Sequence, residues 1–165
     1  MKTIGVDPGN TKTAIVFING IDIIDHFYLP NDEALEKIID INMHYTNCEI
    51  YCEMIASYGM PVGKSIFDTC LFIGRIIEAL PDVKLITRNV IKNAICHSSK
   101  AKDANIRQAL IDIYGEVGTK KNQGGTYGIS GDKWAALAVA TAAQRGAKLY
   151  EISELESTET TNKIN

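Results

Sequence analysis

The chain has 165 residues, 45% of them hydrophobic and 22% charged, which suits one soluble globular domain with a sizeable core. No run approaches the roughly 20 unbroken apolar residues of a membrane span, and the N-terminal residues lack the basic and apolar regions of a secretion signal. We therefore expect a cytoplasmic protein with reduced cysteines. The net charge is −3, yet residues 1–83 carry −7 and residues 84–148 carry +7. Such a split can mark an anionic partner, although charged helix faces in solvent also produce it.

Turn residues divide the first thirty residues into three predicted strands. Pro8-Gly9-Asn10 has turn chemistry, and Asn19-Gly20 is a strong hairpin signal. Two tight turns in succession imply three antiparallel neighbours. The predicted strands are Lys2–Asp7, Thr13–Ile18 and Ile21–Leu29.

Helices and strands alternate in the rest of the chain. Asn31 is predicted to cap the first helix, with Asp32 and Glu33 in its first turn. The elements that follow are a strand at Glu49–Glu53, a helix at Ser65–Leu80, a strand at Val83–Thr87, and helices at Asn89–Ile95, Lys102–Tyr114 and Asp132–Lys148. This order predicts an α/β fold with a five-stranded mixed sheet, in which three antiparallel meander strands are followed by parallel strands, flanked by helices. We assign residues 1–148 to the domain and expect residues 149–165 to be a disordered acidic tail.

Two further segments have distinctive patterns. The helix predicted over Ser65–Leu80 is apolar on two sides and therefore needs two partners, the sheet and a second subunit. One stripe consists of Ile66, Cys70, Ile73, Ile77 and Leu80, and the other of Phe67, Leu71, Phe72 and Ile76. We accordingly expect a homodimer. The stretch 120–131 is basic and rich in glycine, so a mobile connection is expected there.

Three acidic residues lie where functional sites tend to form. Asp7 and Glu53 end predicted strands, and Asp132 opens the last helix. Each has an ordinary structural explanation on its own, since helix starts favour negative charge. Brought to one edge, they would repel unless they shared a hard cation such as Mg²⁺, which prefers oxygen ligands. Such a site suits phosphodiester hydrolysis.

The motifs around these acids occur in a known order. Ile4-Gly-Val-Asp-Pro-Gly9, Tyr51-Cys-Glu53 and Asp132-Lys-Trp-Ala-Ala-Leu-Ala-Val-Ala140 resemble the motifs of RuvC-type Holliday junction resolvases, over residues 1–147. These are endonucleases of the ribonuclease H-like superfamily. The resemblance implies a ribonuclease H-like fold, with Asp7, Glu53 and Asp132 as catalytic ligands of Mg²⁺, for which Mn²⁺ would substitute. The compact acidic chain looks like a phage-encoded member, which would act in the cytoplasm of a bacterial host.

The resemblance also implies a DNA-binding surface. Ile91-Lys-Asn-Ala94 and Ala101-Lys102 resemble the family's two basic positions, so Lys92 and Lys102 would contact phosphates. Lys100 and Arg107 belong to the same basic stretch and are assigned with them. Family members often place an aromatic residue in the loop after the second acid; here Tyr58 would either stack on a base or cap the loop.

One departure from the family concerns the last helix. The family usually has a second acid three residues after the first, and this chain has Ala135 there. Two acids at that spacing would share a helix face. The missing acid puts tight binding of a second metal in doubt. Asp103 and His97 are candidates to replace it.

These observations leave three functional hypotheses. The first is a metal-dependent, structure-selective endonuclease that nicks branched DNA such as Holliday junctions, three-way and forked DNA by phosphodiester hydrolysis. The second is a non-catalytic binder of branched DNA with an incomplete metal site. The third follows from Gly5-Val-Asp7-Pro-Gly9-Asn-Thr11, which resembles a phosphate loop of sugar-kinase and actin-like ATPases. Those need a second domain to close over ATP, so no nucleotide cofactor is expected.

Overall fold

The computed structural model of the protein describes residues 1–56, 59 and 61–150. The strands are β1 (Lys2–Asp7), β2 (Lys12–Asn19), β3 (Asp22–Pro30), β4 (Cys48–Met54) and β5 (Lys84–Thr87). The helices are α1 (Asn31–His44), α2 (Lys64–Ala79), α3 (Arg88–Cys96), α4 (Asp103–Tyr114) and α5 (Lys133–Gln144). Each element predicted from the sequence is present.

The five strands form one mixed sheet in the order β3-β2-β1-β4-β5. β2 is antiparallel to both β1 and β3, whereas β4 runs parallel to β1 and β5 parallel to β4. Gly20 lies in the turn between β2 and β3 with a φ of 63°, a conformation that glycine adopts without strain. The predicted α/β fold class, with a meander followed by parallel strands, is confirmed.

Helices cover both faces of this sheet. Ile4 and Val6 of β1 are buried on the face that α1 and α2 cover. The opposite face packs against α3, α4 and α5, and residues 136–143 of α5 are all buried. Since successive residues of a strand point to opposite faces, Gly5 and Asp7 face the α5 side. This alternation decides which helix meets the acid at the end of β1.

The start of α1 differs from the prediction. Pro30 occupies the cap position, and Asn31 is the first helical residue. The Asn31 side chain accepts a hydrogen bond from Thr13 Oγ1 at 2.8 Å and donates one to the Gly9 carbonyl oxygen at 3.0 Å. Asn31 therefore joins the start of α1 to the turn after β1 instead of capping its own helix.

The end of α5 also differs, because the helix stops at Gln144 rather than at Lys148. Gly146 has a φ of 73°, and the Ala147 N–H bonds back to the Ala142 carbonyl oxygen at 3.1 Å. A glycine in this left-handed conformation commonly ends a helix.

The two apolar stripes predicted on α2 are divided differently in the structure. Phe72, Ile73 and Ile76 are buried in the core. Phe67 and Leu71, which lie one helical turn apart, are 60% and 71% exposed. The second stripe thus supplies two core residues and two residues on an outer apolar face.

The segment before α5 packs against the end of α4, where we expected a mobile connection. A Cβ on Gly124 would lie 1.8 Å from the Glu116 carbonyl oxygen, and one on Gly125 would lie 1.7 Å from that of Tyr114. Buried Thr126 donates a hydrogen bond to the Gly115 carbonyl oxygen at 2.9 Å. Close backbone contact, rather than mobility, accounts for these glycines.

Most of the predicted tail, residues 151–165, lies outside the described residues. Tyr150, which we assigned to the tail, donates its backbone N–H to the Leu85 carbonyl oxygen at 2.7 Å. Its side chain packs against the core. Among the described residues, none of the helices has the length and apolar character that crossing a bilayer requires.

Candidate active site

Asp7 and Glu53 lie side by side at one edge of the sheet. β1 and β4 are parallel, and their register pairs Gly5 with Tyr51 and Val6 with Cys52. The next pair in this register is Asp7 with Glu53, and both face the side that α5 covers. The parallel pairing predicted from the sequence therefore brings these two acids together.

Gly5 positions the third acid. A Cβ on Gly5 would lie 2.1 Å from the Ala136 carbonyl oxygen and 2.7 Å from the Ala140 backbone nitrogen. Only glycine allows α5 to approach β1 this closely. Asp132 precedes the first residue of α5, one helical turn before Ala136. The close contact therefore brings Asp132 towards the end of β1.

The electrostatics of Asp7 reflect this convergence. Burial, together with the negative charges of Glu53 and Asp132, raises the pKa of the Asp7 carboxyl from 3.8 to about 7, while Arg88 acts in the opposite direction. Among the described residues, the Asp7 carboxylate has no hydrogen bond or ion pair. A largely buried carboxylate without a partner is costly in its charged form.

Glu53 is also largely buried, and it has one cationic partner. Burial raises the pKa of the Glu53 carboxyl, and Arg88 counteracts part of that rise. Arg88 Nη1 lies 3.4 Å from Glu53 Oε2, and Arg88 Nη2 lies 2.5 Å from Asp103 Oδ1. Arg88 therefore bridges an inner and an outer carboxylate.

The sequence analysis did not identify Arg88 or assign Asp103 an ion pair. Arg88 directly follows β5, and Asp103 begins α4. The position of Arg88 at the end of a third parallel strand is the sequence signal that could have identified it. Asp103 also contributes to the raised pKa values of both Asp7 and Glu53, whereas His97 is an exposed residue at the end of α3. Of the two candidates to replace the missing acid, Asp103 is the one that acts on this site.

Tyr28 is a further residue that the sequence analysis missed. It lies on β3, and the neighbouring Asp132 carboxylate raises the pKa of its phenol. The Lys12 ammonium lies 5.6 Å from the Tyr28 ring centroid. Tyr28 therefore lies near Asp132.

The donor set suits a hard divalent cation, because Asp7, Glu53 and Asp132 offer carboxylate oxygens around a negative and partly dehydrated position. The side chains as placed do not yet surround one point. Among the described residues, no group of three or more His, Cys, Asp or Glu side chains could hold a metal ion without rearrangement. Metal binding here would require the carboxylates to reorient, and Glu53 to release Arg88.

The basic residues assigned to DNA lie on α3, α4 and the loop between them. Lys92 is half-buried on α3, and its charge lowers the pKa of Glu53, so it lies near the acids. Lys100 and Lys102 are exposed before α4. Arg107 is exposed on α4, with its guanidinium 4.9 Å from the Trp134 ring centroid. Tyr58 lies outside the described residues.

One cavity lined by described residues lies away from the acids. A cavity of about 470 Å³ lies at the opposite end of β4 and β5, and is lined by Glu49 and Lys84 among others. Their ion pair, at 2.7 Å, is satisfied without a ligand. The acids lie at the other end of these strands, where Asp132 is exposed.

Comparisons with known proteins agree with this architecture. The sheet, with its meander and two parallel strands covered on both faces, defines a ribonuclease H-like α/β domain. A Thermus thermophilus RuvC structure superposes with a TM-score of 0.69 and 14% identity, covering 91% of this chain and all of that one. T. thermophilus RuvC in complex with a Holliday junction substrate gives a TM-score of 0.65 at the same identity, covering 91% and 99%. The chain therefore has a RuvC-like fold. No protein-family model matches the sequence, and no curated protein matches it.

Proposed function

We propose that the protein is a divalent-metal-dependent endonuclease that nicks branched DNA. The observation that carries this proposal is the convergence of Asp7, Glu53 and Asp132 at one edge of a RuvC-like fold. The second structure in the comparison is of a relative with a Holliday junction. The reaction is hydrolysis, in which a P–O bond of the DNA backbone breaks and the oxygen of water joins the phosphorus.

Each acid has a distinct part in this proposal. Asp7, Glu53 and Asp132 would hold Mg²⁺, which when bound would polarise the phosphate and activate water. Asp7 is the central ligand, because both other acids raise its pKa. Gly5 holds α5 close enough for Asp132 to take part, and Tyr28 lies near Asp132.

The basic side chains would bind the DNA backbone next to the acids. Lys92 lies close enough to act on Glu53, and Lys100, Lys102 and Arg107 extend the positive surface outwards. Phosphate contacts of this kind fix the position of a duplex without reading its sequence. Tyr58, which lies outside the described residues, would either stack on a base or cap the loop.

A homodimer would match the symmetry of a four-way junction, since two symmetric nicks need two sites. The outer face of α2 is the proposed interface. Phe67 and Leu71 are exposed there, and a Cβ on Gly74 would meet no atom within 4 Å. An open glycine beside two apolar side chains would let a second helix approach closely.

Ala135 favours a second candidate function, which is binding of branched DNA without cleavage. The residue lies on the first turn of α5, where another acid would complete the ligand set. If the site is catalytic, the loss of one ligand should make activity depend on higher Mg²⁺ concentrations. Mn²⁺ should restore activity, because it binds N/O sites more tightly.

The experiment is incubation of the full chain with labelled four-way, three-way, forked and linear DNA in Mg²⁺, Mn²⁺ or EDTA. The proposal predicts nicks in several branched DNAs with either metal, and no nicks in EDTA. Binding of all branched DNAs without cleavage in either metal would favour the non-catalytic function. Calorimetric detection of ATP binding would instead support the ATPase hypothesis.

A further inference from the structure

Arg88 lies at the edge where the acids converge. β5 pairs in parallel with β4, and the register sets Glu53 beside Ile86 and Met54 beside Thr87. Arg88 is the next residue along the chain and the first of α3. Its side chain is 27% exposed and that of Glu53 is 16% exposed, so their ion pair is largely removed from water.

This ion pair gives Glu53 a counter-charge. A buried carboxylate is destabilised unless a cation or several hydrogen bonds compensate it. Arg88 is the one cation found in an ion pair with Glu53 among the described residues, at 3.4 Å, whereas Lys92 acts on Glu53 through its charge alone. Arg88 thus supplies the positive charge beside Glu53 that a bound metal ion would otherwise supply.

Arg88 also forms a second ion pair, with Asp103. Its Nη2 atom lies 2.5 Å from Asp103 Oδ1, and the Asp103 side chain is 80% exposed. The guanidinium is therefore shared between an inner carboxylate and an outer one. If Glu53 is released, Asp103 still holds Arg88 close to the site.

We propose that Arg88 is an internal counter-cation that holds Glu53 in the metal-free protein and that a divalent cation must displace. This inference rests on the proposed function, in which Glu53 is a metal ligand. It accounts for the contact of the Arg88 guanidinium with a carboxylate that is largely removed from water. Arg88 stabilises the ionised Glu53 carboxylate and, because it competes for the same carboxylate, weakens metal binding.

The test is calorimetric titration of Mn²⁺ into the full-length protein and into Arg88→Met. The matched control is Lys92→Met, which removes a nearby positive charge without breaking an ion pair to Glu53. Removal of a competing ion pair should tighten Mn²⁺ binding about tenfold in Arg88→Met, and the weaker field of Lys92 should give less than about threefold. Equal changes in the two variants would overturn the inference, since they would reflect charge alone.

Thermal unfolding supplies a second readout that does not depend on cleavage. In EDTA, Arg88→Met should unfold at a lower temperature than the unaltered protein, because Glu53 loses its partner. Added Mn²⁺ should raise its unfolding temperature by more than it raises that of the unaltered protein. If Arg88→Met does not fold, Arg88→Lys, which keeps the charge but not the two-pronged geometry, should show a smaller tightening of Mn²⁺ binding. Unchanged Mn²⁺ affinity in whichever of these two variants folds would contradict the inference.

Failure of this inference is distinguishable from failure of the proposed function. If the unaltered protein binds Mn²⁺ and cleaves branched DNA while Arg88→Met binds Mn²⁺ no more tightly, only the role of Arg88 is wrong. If neither protein binds Mn²⁺ and neither cleaves, the metal site itself is wrong.

Discussion

At the scale of single residues, the buried carboxylate of Asp7 lowers the free energy of unfolding. The raised pKa of Asp7, about 7, means that the folded protein binds a proton that the unfolded chain has released above its ordinary pKa of 3.8. Asp7 therefore reduces folding stability progressively as the pH rises from about 4 to about 7, and the full cost is present above that range. The convergence of Asp7 with Glu53 and Asp132 therefore lowers folding stability at neutral pH.

Asp7→Asn should consequently stabilise the metal-free protein at pH values above about 7. A shift from 3.8 to about 7 corresponds to at most about 4 kcal/mol, since one pKa unit is about 1.4 kcal/mol. Urea unfolding in EDTA measures the difference. The advantage of the variant should shrink as the pH falls towards about 4. Equal stability of the two proteins at about pH 8 would contradict the cost assigned to the buried Asp7 carboxylate.

Ala135 provides a gain-of-function prediction. Ala135→Asp adds a carboxylate one turn along α5 from Asp132, and more ligand charge strengthens Mg²⁺ binding. The Mg²⁺ concentration at half-maximal cleavage should fall severalfold. Ala135→Asn, which has a similar size and no charge, is the control and should leave the midpoint unchanged. An unchanged midpoint in a folded, DNA-binding Ala135→Asp protein would mean that position 135 is not near the metal.

At the scale of secondary-structure elements, the contact between α5 and β1 determines whether the acids meet. Gly5→Ala places a methyl group 2.1 Å from the Ala136 carbonyl oxygen, so α5 must move. Overpacking of this kind costs about 1–3 kcal/mol. We expect lower stability in urea unfolding and a loss of cleavage beyond the fraction unfolded, because Asp132 shifts away from Asp7. Full activity in Gly5→Ala would contradict this role of the helix.

The outer face of α2 makes a separate prediction about assembly. Leu71→Glu should convert a homodimer into a monomer, because a charge cannot be buried in an apolar interface without a partner. Ile21→Glu is the matched control, since Ile21 is 72% exposed and Leu71 71%, but Ile21 lies in the turn between β2 and β3. Sedimentation velocity measures both variants. A monomeric unaltered protein with full activity on junctions would disprove the dimer.

At the scale of the whole molecule, the sequence predicted the order and pairing of the strands well. Hydrophobic alternation and turn residues are local signals, and parallel pairing then brings Asp7 and Glu53 to one edge. Arg88 and Asp103 were harder to assign, because an ion pair between residues far apart in sequence leaves no local pattern. The role of Gly5 depended on a helix packing over it. The close packing of Gly124 and Gly125 against the end of α4 was not predicted, because glycine permits close packing as well as mobility.

The fold brings acidic residues from the first half of the chain next to basic residues from the second half. The acidic first half supplies Asp7 and Glu53, and the basic second half supplies Arg88 and Lys92 beside them. Positive groups next to an acidic centre allow a polyanion to approach carboxylates that would otherwise repel it. The net charge of −3 therefore does not argue against DNA as a partner.

Cleavage of a labelled four-way junction by Glu53→Gln, compared with Glu49→Gln, tests the central claim most directly. Both residues lie on β4, but Glu49 is at the opposite end and pairs with Lys84. Loss of a metal ligand should reduce the cleavage rate of Glu53→Gln by more than about 100-fold, since even outer-shell changes cost 10–100-fold. Junction binding should persist or tighten, because repulsion of phosphate falls. Glu49→Gln should cleave at the unaltered rate; normal cleavage by Glu53→Gln would contradict the account.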